Sequence, residues 1–130
     1  MDRKIICLDT SILVEYFRKK DKNKSFLIEL TFKYKFAISV ITKLEILNGS
    51  NQEQQTFWDK LFNKLQIIPL GEKEVEEASK IIKKLRSENK IIELADVLIG
   101  ATAKTHKLKI ATLNIKHFKQ IDKLEIVERK

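Results

Sequence analysis

Three acidic side chains stand at points where the surrounding sequence is otherwise apolar. Asp9 ends the run KIICL at residues 4–8 and is followed directly by Thr10 and Ser11. Glu45 falls in SVITKLEILN, residues 39–48, just past a second short apolar stretch. Asp96 lies in ELADVLIGATAKTH, residues 93–106, near the start of a segment rich in small residues. A buried carboxylate is costly unless hydrogen bonds, a cation or a metal offsets it. Three of them crowded together would repel, and a hard divalent ion removes that conflict. Asp9, Glu45 and Asp96 therefore form a candidate oxygen cage for Mg²⁺ or Mn²⁺. The chemistry that suits such a cage is metal-assisted hydrolysis of a phosphodiester. Whether one ion or two would bind is open.

Each acid also has a purely structural role to set against the chemical one. Asp9 could cap a helix with its carboxylate. Glu45 stands three positions after Thr42, in capping-box register. Asp96 could belong to a local polar network, with Gly100 and Ala103 on its helix face leaving room for close approach to the sheet. Helix capping explains one acid at a time, whereas a shared cation explains all three.

Other polar residues gather around these positions. Asn114, in ATLNIKHF at 111–118, follows a strand-like run and could meet a metal-bound water or substrate, or simply close a turn. Thr10, Ser11 and Thr112 could orient ligands, or cap helices and finish strands; alternation along the strand could also turn Thr112 away. His117 is closer to the site and could touch phosphate or be an unremarkable surface histidine, while His106 reads as a helix-end or surface residue. With one cysteine and two histidines, the chain lacks the makings of an ordinary zinc site. Arg18, Lys19, Lys20, Lys22 and Lys24 are candidates for the nucleic-acid backbone. Lys104, Lys107, Lys109, Lys116 and Lys119 could extend the same positive rim.

The elements needed to position these groups can be read from periodicity. Strands are expected at 4–8, 36–38, 66–68, 109–112 and 124–127. Helices are expected from about residue 10, from Phe26 to Tyr34, after Thr42 up to Gly49, over Gln52–Leu65, Glu72–Ser87 and Leu94–Thr105, with a loop over 18–24. Val75, Ala78, Ile82 and Leu85 are the expected inner face of the longest helix. Its early glutamates and late lysines complement the helix dipole and need no catalytic role. Alternating strands and helices predict an α/β protein: a three-layer α/β/α fold around a central, mainly parallel sheet. In such folds functional groups collect beyond the carboxyl ends of strands, where Asp9 and Asn114 fall.

With 130 residues, the chain is expected to form one domain over 1–130. Its formal charge of +8 favours a polyanionic partner. No apolar run is long enough for a membrane span, and no secretory signal is expected. The lone Cys7, in an apolar strand, reads as a buried thiol and fits a reduced, cytoplasmic setting.

The acids and their neighbours resemble the PIN-domain ribonucleases, in particular the VapC toxins of toxin–antitoxin systems. The resemblance rests on LDTSILVEYF at 8–17, SVITKLEILNG at 39–49 and ADVLIGATAKTHKLKIATLNIKHF at 95–118. It implies a PIN-like fold and assigns Asp9, Glu45 and Asp96 to the metal site. Asn114 stands where that family commonly has a further Asp or an Asn, so one negative charge fewer is present. The resemblance further implies Mg²⁺- or Mn²⁺-dependent endoribonuclease activity leaving a 5′-phosphate and a 3′-hydroxyl, on RNA that includes transfer RNA. It also implies a homodimer and inhibition by a VapB-like antitoxin, whose C-terminal segment would enter the active-site groove.

Overall fold

The computed structural model describes residues 3–129. Its five strands are β1 (Lys4–Leu8), β2 (Tyr34–Ser39), β3 (Gln66–Ile68), β4 (Ile110–Ala111) and β5 (Ile126–Val127). They form one sheet in the order β3-β2-β1-β4-β5, and every neighbouring pair is parallel. A central strand of such a sheet is covered on both faces, so it needs a continuous apolar run. β1 shows this in Ile6, Cys7 and Leu8, all buried. Ile6 and Leu8 enter one core, with α1 (Thr10–Arg18), α2 (Phe26–Thr31) and α4 (Gln55–Phe62) packed over it. Cys7 enters the other, beneath α5 (Glu72–Ser87), α6 (Leu94–Thr105) and α7 (Ile115–Phe118). The three-layer architecture is the expected one.

From β1 the chain steps outward through β2 and β3, then crosses back by α5 and α6 to place β4 on the other side of β1. The direction of winding therefore reverses between β1 and β4. Loops leaving the carboxyl ends of those two strands diverge and open a crevice. That crevice is where Asp9 and Thr112 emerge.

Local chemistry sets several boundaries differently from the sequence expectation. The helix α3 (Val40–Gly49) is capped by Ser39, which accepts from the Ile41 N–H at 3.0 Å, and Thr42 is buried within its first turn. Expected capping by Thr42 and Glu45 is thus replaced by a serine three residues earlier. The stretch after Gly49 begins as a short 3₁₀ turn at Gln52–Gln54, held by reciprocal bonds between Asn51 and Gln54, before α4 starts. Helix α2 stops at Thr31, and β2 takes up Tyr34. In α5 the inner face is Ala78, Ile81 and Leu85, whereas Val75 is 51% exposed. Glu74 is buried there instead; it accepts the Gly71 N–H at 2.8 Å, and His106 Nε2 lies 3.6 Å from its other oxygen. Gly100 does permit close packing, but against the segment after β4: an added Cβ would lie 2.5 Å from Ile121 Cδ1. Among the described residues, no helix is long and apolar enough to cross a membrane.

Candidate active site

Asp9 occupies the N-cap position of α1, yet its side chain makes no capping bond to the helix. It is 2% exposed and takes two hydroxyl donors. Ser11 Oγ donates to one carboxylate oxygen at 2.6 Å, and Thr112 Oγ1 donates to the other at 2.7 Å. Each hydroxyl is itself oriented, because it accepts a backbone N–H from the loop after β4. Leu113 N–H bonds to Ser11 Oγ at 3.0 Å, and Asn114 N–H to Thr112 Oγ1 at 2.8 Å. A hydroxyl whose acceptor side is occupied turns its single proton outward, here to Asp9. The first turn of α1 and the end of β4 thus hold one carboxylate by both oxygens. Thr112 faces the cluster, which resolves the question its strand position left open.

Burial dominates the electrostatics of Asp9 and pushes its pKa up to about 6. The Ser11 and Thr112 hydrogen bonds pull in the opposite direction, as more weakly does the Ile12 N–H of α1, which falls short of a capping bond; the nearby Asp96 carboxylate pushes it up further. Asp9 has no salt-bridge partner among the described residues. The thiol of Cys7, fully buried in the strand beneath, is pushed up to about 12 by burial and by the charge of Asp9. It is therefore no nucleophile at neutral pH.

Asp96 enters from the first turn of α6 with its side chain 17% exposed. His117 Nδ1 lies 3.0 Å from its Oδ2, a contact that the sequence reading did not anticipate. The spacing Asn114–His117 could have suggested it, since α7 places His117 one turn beyond the loop that touches Asp9. His117 itself is half exposed at the mouth. Asn114 caps α7 by position, without a side-chain bond, and is exposed beside it.

Glu45 approaches from α3 and bonds to the residue next to Asp9. Its Oε1 accepts from Thr10 Oγ1 at 2.5 Å, and Thr42 Oγ1 lies 3.3 Å from the same threonine hydroxyl. Glu45 is exposed, so its long side chain is free to choose this partner. Among the described residues, no three His, Cys, Asp or Glu side chains are grouped as a ready metal cage. What the structure does contain is a buried carboxylate with hard oxygen donors, no cation beside it and a second carboxylate close enough to raise its pKa. That donor set fits a hard divalent ion through Asp9 and Asp96. Glu45 would join them only after leaving Thr10.

The basic residues divide between two ends of the molecule. Arg18 lines a cleft of about 240 Å³ together with Thr10, Glu45 and Trp58. Lys19, Lys20 and Lys24 are exposed in the following segment, and Lys116 is exposed on α7. Lys22 departs from the expected role. Its ammonium donates to the carbonyls of Tyr16, Phe17 and Lys19 at 2.8, 2.9 and 3.2 Å, and lies 5.0 Å from the centre of the Tyr16 ring. It is thereby committed to the carboxyl end of α1. Lys104, Lys107 and Lys109 fall away from the proposed rim, at the opposite edge of the sheet. The aromatic residues Phe26, Trp58 and Phe62 are buried in the core.

Comparison with known proteins agrees with this arrangement. Residues 6–124 match the family model described as PIN domain. The chain is 32% identical over 117 residues to Ribonuclease VapC1 of Methanocaldococcus jannaschii, covering 89% of this chain and 80% of that protein. It is 34% identical over 131 residues to Ribonuclease VapC of Rickettsia bellii, covering 94% of each. A solved structure of VapBC2 from Rickettsia felis, bound to a DNA fragment from its promoter, contains a chain that superposes with a TM-score of 0.84. That chain is 28% identical, with 97% of this chain and 99% of its own covered. The reversal of winding at Asp9, the acid on α6 and the extent of these matches lead to one conclusion: the chain belongs to the PIN-domain family and is similar in sequence and structure to its VapC-type members.

Proposed function

We propose that this protein is a divalent-metal-dependent endoribonuclease that serves as the toxin of a toxin–antitoxin pair. The observation that carries this reading is Asp9: buried, held by both oxygens, beside a second carboxylate and without a cationic partner. A fold that stabilised only itself would gain more from an apolar residue there. The relatives' designation as ribonucleases supports the choice of RNA.

In this reading Asp9, Asp96 and Glu45 hold Mg²⁺ or Mn²⁺, and Asn114 borders the same site. When bound, the ion would polarise the scissile phosphate and offset the charge that develops on it. The chain's own contribution is positional. Ser11 and Thr112 favour the ionised form of Asp9 and fix its two oxygens. His117 fixes Asp96, and its exposed ring edge lies where a substrate phosphate would pass. Arg18, Lys19, Lys20, Lys24 and Lys116 supply backbone attraction without base selection. The cleft from Thr10 and Glu45 to Arg18 and Trp58 would receive the C-terminal segment of a VapB-like antitoxin, and the toxin would act as a homodimer.

A cellular RNA pool, including transfer RNA, incubated with the protein should yield discrete ends in the presence of Mg²⁺ or Mn²⁺. Chelator should stop cleavage, and Asp96→Asn should abolish it with the fold intact. Equal cleavage by wild type and Asp96→Asn would refute the assignment. Neutral Asn114 favours one rival, a noncatalytic RNA- or protein-binding member. That rival predicts RNA binding with no metal-dependent ends.

A further inference from the structure

Lysines collect at the edge of the sheet opposite the acids. Lys104, Lys107, Lys109 and Lys123 line a cavity of about 290 Å³, with Glu125 as its one acidic side chain. Such a volume holds roughly ten waters. A second cavity of about 190 Å³ shares Lys104 and Lys123 and adds Lys80 and Lys84, opposed by Glu77 and Asp122. The two therefore form one lysine-lined depression beside the amino ends of β4 and β5. Helix α6 links this end to the active site: Asp96 is in its first turn and Lys104 in its last, about 12 Å apart along the axis at the usual rise.

Two features distinguish the depression from an ordinary solvated lysine surface. First, its charge is incompletely compensated. Lys104 pairs with Glu77 at 3.7 Å and Lys109 with Glu125 at 3.6 Å, but Lys107 and Lys123 make no ion pair among the described residues. Second, those same two lysines have left-handed backbone, with φ of 58° and 61°. This conformation favours glycine or asparagine, and an ordinary side chain there is strained. The turns before β4 and before β5 thus each place, on left-handed backbone, a lysine without an ion pair among the described residues at the same cavity. Lysine supplies a mobile point charge, suited to phosphate oxygens rather than to base edges.

We propose that this depression is a second, noncatalytic site for RNA phosphates, which grips a folded substrate at the far end of the molecule from the acids. The inference rests on the ribonuclease reading above. It requires RNA long enough to pass around α6, so a short oligoribonucleotide seated at the acids would not engage it.

The test compares wild type with the double variant Lys107→Asn/Lys123→Asn, in which asparagine suits the left-handed backbone. A charge-matched control, Lys60→Gln/Lys73→Gln, removes exposed lysines outside both cavities. Binding of labelled bulk transfer RNA is measured by fluorescence anisotropy in chelator, over a range of salt, and melting is recorded alongside. The cavity variant should melt no lower than wild type and bind more weakly. Its log affinity should also depend less steeply on log salt, by about 1.4–1.8 for two lost phosphate contacts, with a smaller change in the control. Cleavage of a short oligoribonucleotide should be the same in all three proteins. Equal effects in the two variants, or an unchanged slope in the cavity variant, would overturn the inference and leave the ribonuclease reading standing. A wild type that neither binds nor cleaves RNA would overturn both.

Discussion

Two strand-to-helix junctions in this molecule solve the same local problem in opposite ways. After β2, Ser39 caps α3 with its side chain and is buried doing so. After β1, Asp9 holds the equivalent position before α1 but makes no side-chain capping bond to a backbone N–H of that helix, although aspartate is among the best capping residues. Its carboxylate is turned instead toward Ser11 and Thr112. One junction spends its polar residue on stability; the other withholds it. In the proposed ribonuclease that difference is what would keep Asp9 available for chemistry.

The sharpest break in this comparison is Asp9→Asn. RNA cleavage should fall by at least about a hundredfold, the scale for losing a preorganised electrostatic group. Stability should move the other way. Asp9 titrates at about 6 in the folded protein, against 3.8 for the ordinary carboxyl. As pH rises between those values the unfolded chain releases its proton first, so stability falls across that window and stays lower above it. The ionised acid costs on the order of 3 kcal/mol at neutral pH if that shift is taken whole. The asparagine variant should therefore melt higher than wild type at pH 7 without divalent ions, with a flatter pH dependence. Added Mg²⁺ or Mn²⁺ should raise the wild-type melting temperature and leave the variant's unchanged. A variant that melts lower at pH 7 would show that Asp9 is structural after all.

Thr112→Val removes one donor from Asp9 and leaves the Asn114 N–H without its acceptor. A loss of about 1–3 kcal/mol is expected from the unsatisfied group, measurable by denaturant unfolding. The acid limb of the cleavage profile should also move to higher pH, because Asp9 loses a bond that favours its charged form. Ser39→Ala sharpens the contrast from the other side: about 1 kcal/mol of stability should be lost, with RNA cleavage by the folded protein unaltered. Smallest of all is Gly100→Ala. The new methyl meets the flexible end of Ile121, and alanine's better helix propensity offsets much of that contact. Unfolding should shift by less than about 1 kcal/mol in either direction.

Much of this arrangement was legible because it depends on short-range pattern. The apolar run before Asp9 must be a buried strand, and β1 runs from Lys4 to Leu8 as expected. The span of α5, Glu72–Ser87, follows from its periodicity and end charges. The three acids stand out because their neighbours are apolar. What escaped the reading depends on contacts distant in sequence. Nothing near Lys22 announces that its ammonium will close the end of α1, since three carbonyls and an aromatic ring must first be brought around it. The pairing of His117 with Asp96 needs α7, a helix of a single turn too short to leave a periodic signal. Lysines 104, 107 and 109 carry the same charge as those beside the acids, and only the direction of β4 assigns them to the far edge. Capping of α3 by Ser39 instead of Thr42 is a choice between two competent residues, settled by where β2 ends.

The bond from Thr112 to Asp9 joins positions 103 residues apart. During synthesis, then, the first loop of the crevice leaves the ribosome long before its partner exists. Parallel pairing between β1 and β4 must wait until Ile110 and Ala111 have been made, as such long-range contacts do. A nascent copy, however well its first half has collapsed, carries Asp9 without the Thr112 hydroxyl that fixes it. If the proposed ribonuclease reading holds, the winding of the sheet would act as a timer, withholding activity from a nascent copy until β4 and the loop after it have been made.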